Sequence, residues 1–233
     1  MSALKPLAQF PQAVIFDMDG LMLDSEREIT ACLAEAAELQ GEQIEYNYWL
    51  GMVGTGDVAC RQMLEARIGA ARASSLLARA VELYDQRVER GIPHRPGIIA
   101  LLEWLSAQGI PRAVGTSTKR PLALRKLEAA DLLWRFDAIA TSSDVEHAKP
   151  APDIYLLAAQ KLDVEPAHCL VLEDSPTGVR AALAAGMTPI QIPDLLAPTD
   201  EVRALGHRIA DSLLDVLALL QAQQQAGTSQ LPA

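Results

Sequence analysis

Short apolar, β-rich runs alternate with longer stretches of helical periodicity over most of the chain. The runs cover residues 13–17 (AVIFD), 112–117 (RAVGTS), 136–141 (FDAIAT), 169–174 (CLVLED) and 188–192 (TPIQI). Several are almost unbroken apolar segments closed by a polar residue, the pattern of parallel strands buried on both faces. Helical stretches at 97–107, 121–130, 152–162 and 176–185 separate the later runs. That rhythm predicts an α/β fold built on a doubly wound parallel sheet.

The first run breaks the rhythm. Almost a hundred residues follow Asp17 before the next strand, and their pattern is helical throughout. Ser25 and Glu28 are spaced as a capping box, opening a helix through about Gln40. Further helical stretches cover roughly 58–68 and 74–90, with Gly51, Gly54 and Gly56 linking the first helix to the next. The segment GIPHRPG at 91–97 reads as a connector. Residues 1–24 and 94–221 are therefore expected to form the sheet-bearing core, and residues 25–93 an inserted all-helical unit. From Gln221 the chain is polar and small, so residues 222–233 are expected to be a frayed tail.

Composition narrows the partners. Thirty acidic against twenty basic side chains give a formal charge of −10, which argues against a nucleic-acid backbone or an anionic membrane surface. No apolar run approaches the ~20 residues that span a bilayer, and the first residues show no secretory signal. Cys32, Cys60 and Cys169 are far apart and odd in number, so they resemble neither a disulfide frame nor a metal site and suit a reducing compartment. The expectation is a monomeric, cytoplasmic protein acting on a small molecule.

In open parallel sheets ligands bind at the carboxyl ends of the strands. Those ends collect Asp17-Met18-Asp19-Gly20, then Thr116-Ser117-Thr118-Lys119, then Lys149-Pro150, then Glu173-Asp174-Ser175. Asp17 and Asp19 can face one pocket if the chain turns at once, and Gly20 permits the turn. One carboxylate can then attack phosphorus while the other moves protons; taken alone, the pair also fits an Asx turn with a solvated neighbour. Ser175 and Pro176 fit the N-cap and first position of a helix, leaving Glu173 and Asp174 to join Asp17 in an oxygen cluster suited to Mg²⁺. Thr116 on its own is a β-former, and Lys149 on its own a solvated surface residue. Lysine is scarce here, however, five against fifteen arginines.

In conjunction these groups resemble the haloacid dehalogenase superfamily, in its phosphatase and phosphomutase branch with a small helical cap. The resemblance runs from about Ala13 to Ile192 and rests on FDMDGLMLDSE, AVGTSTK, HAKPAPDIY and VLEDSPTGVRAALAAG. It implies a Rossmann-like core with the helical insertion as a mobile cap. It implies that Asp17 is the nucleophile forming an aspartyl-phosphate and Asp19 the general acid/base. Thr116, Ser117 and Lys149 would hold the phosphoryl group. Mg²⁺ would sit between Asp17, the Asp19 main chain and Asp174, with Glu173 as a direct or water-mediated neighbour.

Within this branch the residues favour a phosphatase of small phosphorylated metabolites. Asp19 is superfluous for dehalogenation, and a phosphonate hydrolase would need a cap lysine that residues 25–93 lack. A β-phosphoglucomutase-like enzyme would carry a His where Ile29 stands and an Arg in the loop at 51–57, which reads GMVGTGD. Outside enzymes, a signalling receiver domain or a silent phosphate-binding module would share the acids, Thr and Lys. A receiver domain is about half this length and carries no helical insertion. The insertion's inner face is expected to include Glu26, the 51–57 loop and Trp49, the last more simply as packing.

Overall fold

The computed structural model describes residues 4–53 and 57–228. Among them, six strands form one sheet: β1 (Ala13–Phe16), β2 (Arg112–Thr116), β3 (Ala138–Thr141), β4 (Cys169–Glu173), β5 (Thr188–Gln191) and β6 (Arg208–Ile209). Their order is β3-β2-β1-β4-β5-β6, and every pairing is parallel. The order reverses beside β1, which puts a ligand crevice at its carboxyl end.

The helices are α1 (Ser25–Leu39), α2 (Tyr46–Leu50), α3 (Asp57–Ile68), α4 (Ala70–Arg90), α5 (Ile98–Ala107), α6 (Arg120–Ala129), α7 (Asp153–Leu162), α8 (Pro176–Ala184), α9 (Asp200–Arg203) and α10 (Leu213–Thr228). Two layers of them cover the sheet. Val14 and Phe16 pack with Leu101 and Leu105 of α5, Leu127 of α6 and Val216 and Leu220 of α10. Their neighbours Ala13 and Ile15 point the other way, against Ile154, Tyr155 and Ala158 of α7 and Ala181 of α8. That double burial is why β1 is apolar at every position.

Helices α1–α4 bury a separate cluster that includes Cys32, Ala36, Trp49, Leu64, Leu76 and Ala80. Trp49 is 2% exposed and meets Tyr48 edge-on, so it packs this cluster. The two chain crossings into and out of the insert pair with each other. Asp24 N–H donates to the Pro93 carbonyl at 2.8 Å, and Arg95 N–H donates to the Met22 carbonyl at 2.8 Å.

Two expectations are corrected. Ser25 does not cap α1: Asp24 holds the N-cap position without a side-chain cap. The Ser25 hydroxyl instead turns back, accepting from Gly20 N–H at 3.2 Å. The turn after β1 thus competes successfully for the hydroxyl. The tail from Gln221 is also more ordered than its polarity suggests, because α10 continues to Thr228. Gln223 both accepts from and donates to the Leu7 backbone, each at 3.1 Å, and Ala and Gln are good helix formers. Residues 229–233 lie outside the described residues. The short elements α2, α9 and β6 had no periodic signal of their own.

Candidate active site

At the carboxyl edge of the sheet a cavity of about 360 Å³ is lined by Asp17, Asp19, Thr116, Ser117, Lys149 and Asp174, with Glu26 from α1 above them. The remaining wall comes from Val53 and from the loop after β5, including Asp194, Leu195, Leu196 and Pro198. Sequence reasoning placed the first seven in one pocket. It missed the loop after β5, whose residues carry no chemistry in their spacing. Residues 54–56 of the expected insert loop lie outside the described residues.

Asp17 caps β1 and is fixed by its backbone, whose N–H donates to the Leu172 carbonyl at 3.0 Å. Its Oδ1 accepts from Lys149 Nζ at 2.6 Å, leaving Oδ2 without a hydrogen bond among the described residues. Lys149 Nζ also donates to Glu173 Oε1 at 2.7 Å and stands 4.7 Å from the Tyr155 ring centroid. Burial pushes the Asp17 carboxyl up to about 7 although Lys149 opposes the shift, with Glu173 and Asp19 adding repulsion. Burial works against the Lys149 charge, but Asp17 and Glu173 together raise its pKa.

Glu173 does not face the cavity as a metal ligand would. It is 0% exposed. Oε1 accepts from Lys149 and from Tyr155 Oη, and Oε2 accepts from Ser175 N–H and Oγ, each at 2.9 Å. All of its acceptor capacity is spent on orienting neighbours. Gly178 allows this, because a Cβ there would strike the Glu173 carboxylate. Ser175 does cap α8 as expected, accepting from Gly178 N–H at 3.1 Å.

Asp174 is the contrasting acid. Its carboxylate accepts no hydrogen bond and joins no ion pair among the described residues. Burial, then the charges of Glu173, Asp17 and Glu26, hold its pKa well above the ordinary carboxylate range. Gly20, at φ 80°, lets it lie over the turn after β1, since a Cβ there would run into Asp174 Oδ2. Four acids, Asp17, Asp19, Glu173 and Asp174, face only the two ammoniums Lys149 and Lys126, a local excess of negative charge. Among the described residues no three His, Cys, Asp or Glu side chains stand together as a ligand set. Two carboxylates and one main-chain carbonyl meet no such count, yet this oxygen-only, under-neutralised donor set is one that a hard divalent cation fits.

Asp19 has side-chain partners that the motifs did not reveal. Oδ2 accepts from Thr118 Oγ1 at 2.6 Å, and Oδ1 accepts from Lys126 Nζ. Against the desolvation of burial, these contacts hold its carboxyl below the usual value. Thr116, 1% exposed, accepts from Thr118 N–H at 3.1 Å and so shapes the same turn. Glu26 is raised by burial and by the charges of Asp19 and Asp194.

The haloacid dehalogenase-like hydrolase family model matches residues 11–186. The chain belongs to that family. It is 31% identical over 180 residues to the phosphorylated carbohydrates phosphatase of Thermotoga maritima, covering 77% of this chain and 83% of the relative. It is 30% identical over 180 residues to the fructose-1-phosphate phosphatase YqaB of Escherichia coli K12, covering 77% and 95%. A haloacid dehalogenase family hydrolase from Deinococcus radiodurans R1, solved with phosphate and sodium bound, superposes with a TM-score of 0.78. That structure is 27% identical and covers 94% of this chain and 98% of its own. As a family member the chain is a hydrolase with a Rossmann-like core, in keeping with the α/β reading. No helix among the described residues is long and apolar enough to cross a membrane.

Proposed function

We propose that the protein is a Mg²⁺-dependent phosphatase of small phosphorylated metabolites, working through an aspartyl-phosphate on Asp17. The observation that carries this is Asp17 itself: one oxygen is tied to Lys149, and the other is open toward the cavity beside Asp19. Phosphatase activity is the named property of relatives sharing about a third of their residues with this chain.

In the first step Asp19 enters as the protonated acid: an Asp17 oxygen attacks phosphorus, the bond to the ester oxygen breaks, and Asp19 gives its proton to that leaving oxygen. In the second, Asp19 takes a proton from water as the water attacks the aspartyl-phosphate. Inorganic phosphate leaves, Asp17 is again a carboxylate, and Asp19 again holds the proton it gave up in the first step. Thr116, Ser117 and Lys149 bind the phosphoryl oxygens, and Lys149 offsets charge that would otherwise repel the attacking carboxylate. Asp17 and Asp174, with the Asp19 main-chain carbonyl, would hold Mg²⁺, which supplies further charge neutralisation when bound. Glu173 keeps Lys149 in place, and with its oxygens so engaged it would neighbour the metal through water. Helices α1–α4, set over the cavity by Glu26 and Val53, serve as the cap. A cytoplasmic monomer is the setting this reading assumes.

The test is phosphate release from a panel of phosphorylated sugars, polyols and small acids, with Mg²⁺ and after exhaustive EDTA treatment. Release that Mg²⁺ restores after chelation is expected. Full turnover in the chelated enzyme would remove the proposed metal role, and no release from any compound would remove the phosphatase.

A further inference from the structure

Lys126 lies in the middle of α6, where its neighbour Arg125 is 48% exposed and pairs with Asp85 of α4 at 3.1 Å. The Lys126 side chain, by contrast, is 3% exposed and points inward to Asp19 Oδ1. A buried ammonium carries a large desolvation cost and persists only where it is paired. Holding α6 against the insert does not require it, since the surface pair Arg125–Asp85 already bridges the same seam.

The groups around this ammonium come from both halves of the molecule. Asp19 belongs to the turn after β1. The Tyr84 ring, on α4 of the insert, has its centroid 5.1 Å from Nζ. The Tyr84 hydroxyl is buried without a hydrogen-bond partner among the described residues, so the ring face is its working contact here. On the far side, Thr118 Oγ1 holds the second oxygen of Asp19 at 2.6 Å. The carboxylate is therefore gripped at both oxygens, by the loop after β2 and by α6. With one grip removed it can rotate about its own side-chain bonds.

We propose that Lys126 is a positioning residue for Asp19, and that it ties the proton-transferring carboxylate to α4 of the insert through Tyr84. This rests on the phosphatase reading above, in which Asp19 protonates the leaving oxygen. A misplaced acid penalises poor leaving groups, which need the proton, and spares good ones, which do not. Loss of a merely structural lysine would penalise both alike.

The experiment measures kcat/KM for p-nitrophenyl and phenyl phosphate, which differ in leaving-group acidity and little in size. It uses the intact wild-type chain, Asp19→Asn, Lys126→Met and Tyr84→Leu, with thermal melts as folding controls. Asp19→Asn is expected to lose ~10²–10⁴-fold on phenyl phosphate and much less on the nitrophenyl ester. Lys126→Met should show the same skew, roughly 10²-fold on phenyl phosphate and only about threefold on the activated ester, the scale of a small misplacement of a catalytic group. If Asp19→Asn is skewed and Lys126→Met loses equally on both or not at all, Lys126 does not position the acid, and the phosphatase reading stands. If Asp19→Asn is itself unskewed, the acid assignment and the proposal fall together. Should Lys126→Met fail to fold, Tyr84→Leu decides: a smaller loss with the same skew supports the proposal, and an even loss overturns it.

Discussion

Lys149 and Glu173 are ion-paired with both partners out of water: Nζ is 2.7 Å from Oε1, and the side chains are 4% and 0% exposed. Deleting one member of such a pair leaves an under-compensated charge in a low-dielectric site, and typically costs about 3–5 kcal/mol. Glu173→Ala should therefore lose about 3 kcal/mol, the lower end, because Asp17 still neutralises Lys149. Urea unfolding measures it as a lower midpoint at unchanged slope. An unmoved midpoint would mean that Glu173 is not the anchor its four hydrogen bonds describe. Gly178→Ala, which drives a Cβ into the same carboxylate, should destabilise in the same direction.

Asp17→Asn should abolish turnover by orders of magnitude while leaving the fold intact, since the residue stands at a strand end beyond the sheet's apolar layers. After rapid acid quench of the wild-type enzyme with substrate, mass spectrometry should find a phosphoryl group on the peptide containing Asp17. The Asp17→Asn enzyme should show none. Phosphate on a different residue would move the nucleophile elsewhere.

Arg120 and Asp144 add a pH dependence to the stability on the acid side. The guanidinium forks onto the carboxylate, Nε to Oδ1 at 3.0 Å and Nη2 to Oδ2 at 2.5 Å, while Thr141 N–H and Oγ1 donate to Oδ2 at 2.8 Å. Arg120, outweighing burial and helped by Thr141, holds the Asp144 carboxyl far below the usual carboxylate range. The carboxyl is thus more acidic folded than unfolded. Its contribution is present above the unfolded value of about 4 and is lost as pH falls toward the folded one. Asp144→Asn should lower the melting temperature near neutrality and bring it closer to wild type at pH 3. An equal gap at both pH values would contradict the pairing.

The strand ends were the legible part of this molecule. A parallel strand buried on both faces has to be apolar to its last residue, so Asp17, Thr116 and Glu173 each mark a boundary that periodicity can see. What surrounds those residues was not legible. Lys126 sits in RPLALRKLEA, where one basic residue among several looks like a solvated helix face, and only the packing of α4 on α6 turns it inward. Tyr155 reads as a core aromatic, which it is, and its hydroxyl bond to Glu173 needs two strands and a helix to be placed first. Ser25 and Glu28 matched a capping pattern, but the tight turn at Gly20 offered the hydroxyl a different partner. Polarity misjudged Gln223 because its amide is satisfied by a backbone more than two hundred residues away.

The same phospho-Asp17 could be attacked by water or by a sugar hydroxyl, and the cavity argues for water. A mutase must retain a bisphosphate and present it in either orientation, so it needs a second cationic group facing the first. Among the described lining residues Lys149 is the one cation, and the insert's share of the wall is Glu26 and Val53. The arginines beside the cavity's Asp194 are committed in ion pairs: Arg27 to Asp24 and Asp194, each at 2.6 Å, and Arg95 to Asp194 at 2.9 Å. Residue 29, on α1, is an isoleucine with no proton to offer a sugar hydroxyl. Incubation with β-glucose 1-phosphate, followed by phosphorus NMR, should therefore show no glucose 6-phosphate, and added glucose 1,6-bisphosphate should not change that. Sugar or small-acid phosphates that are turned over should release inorganic phosphate alone. Formation of glucose 6-phosphate faster than phosphate release would make the protein a mutase and would leave the chemistry at Asp17 untouched.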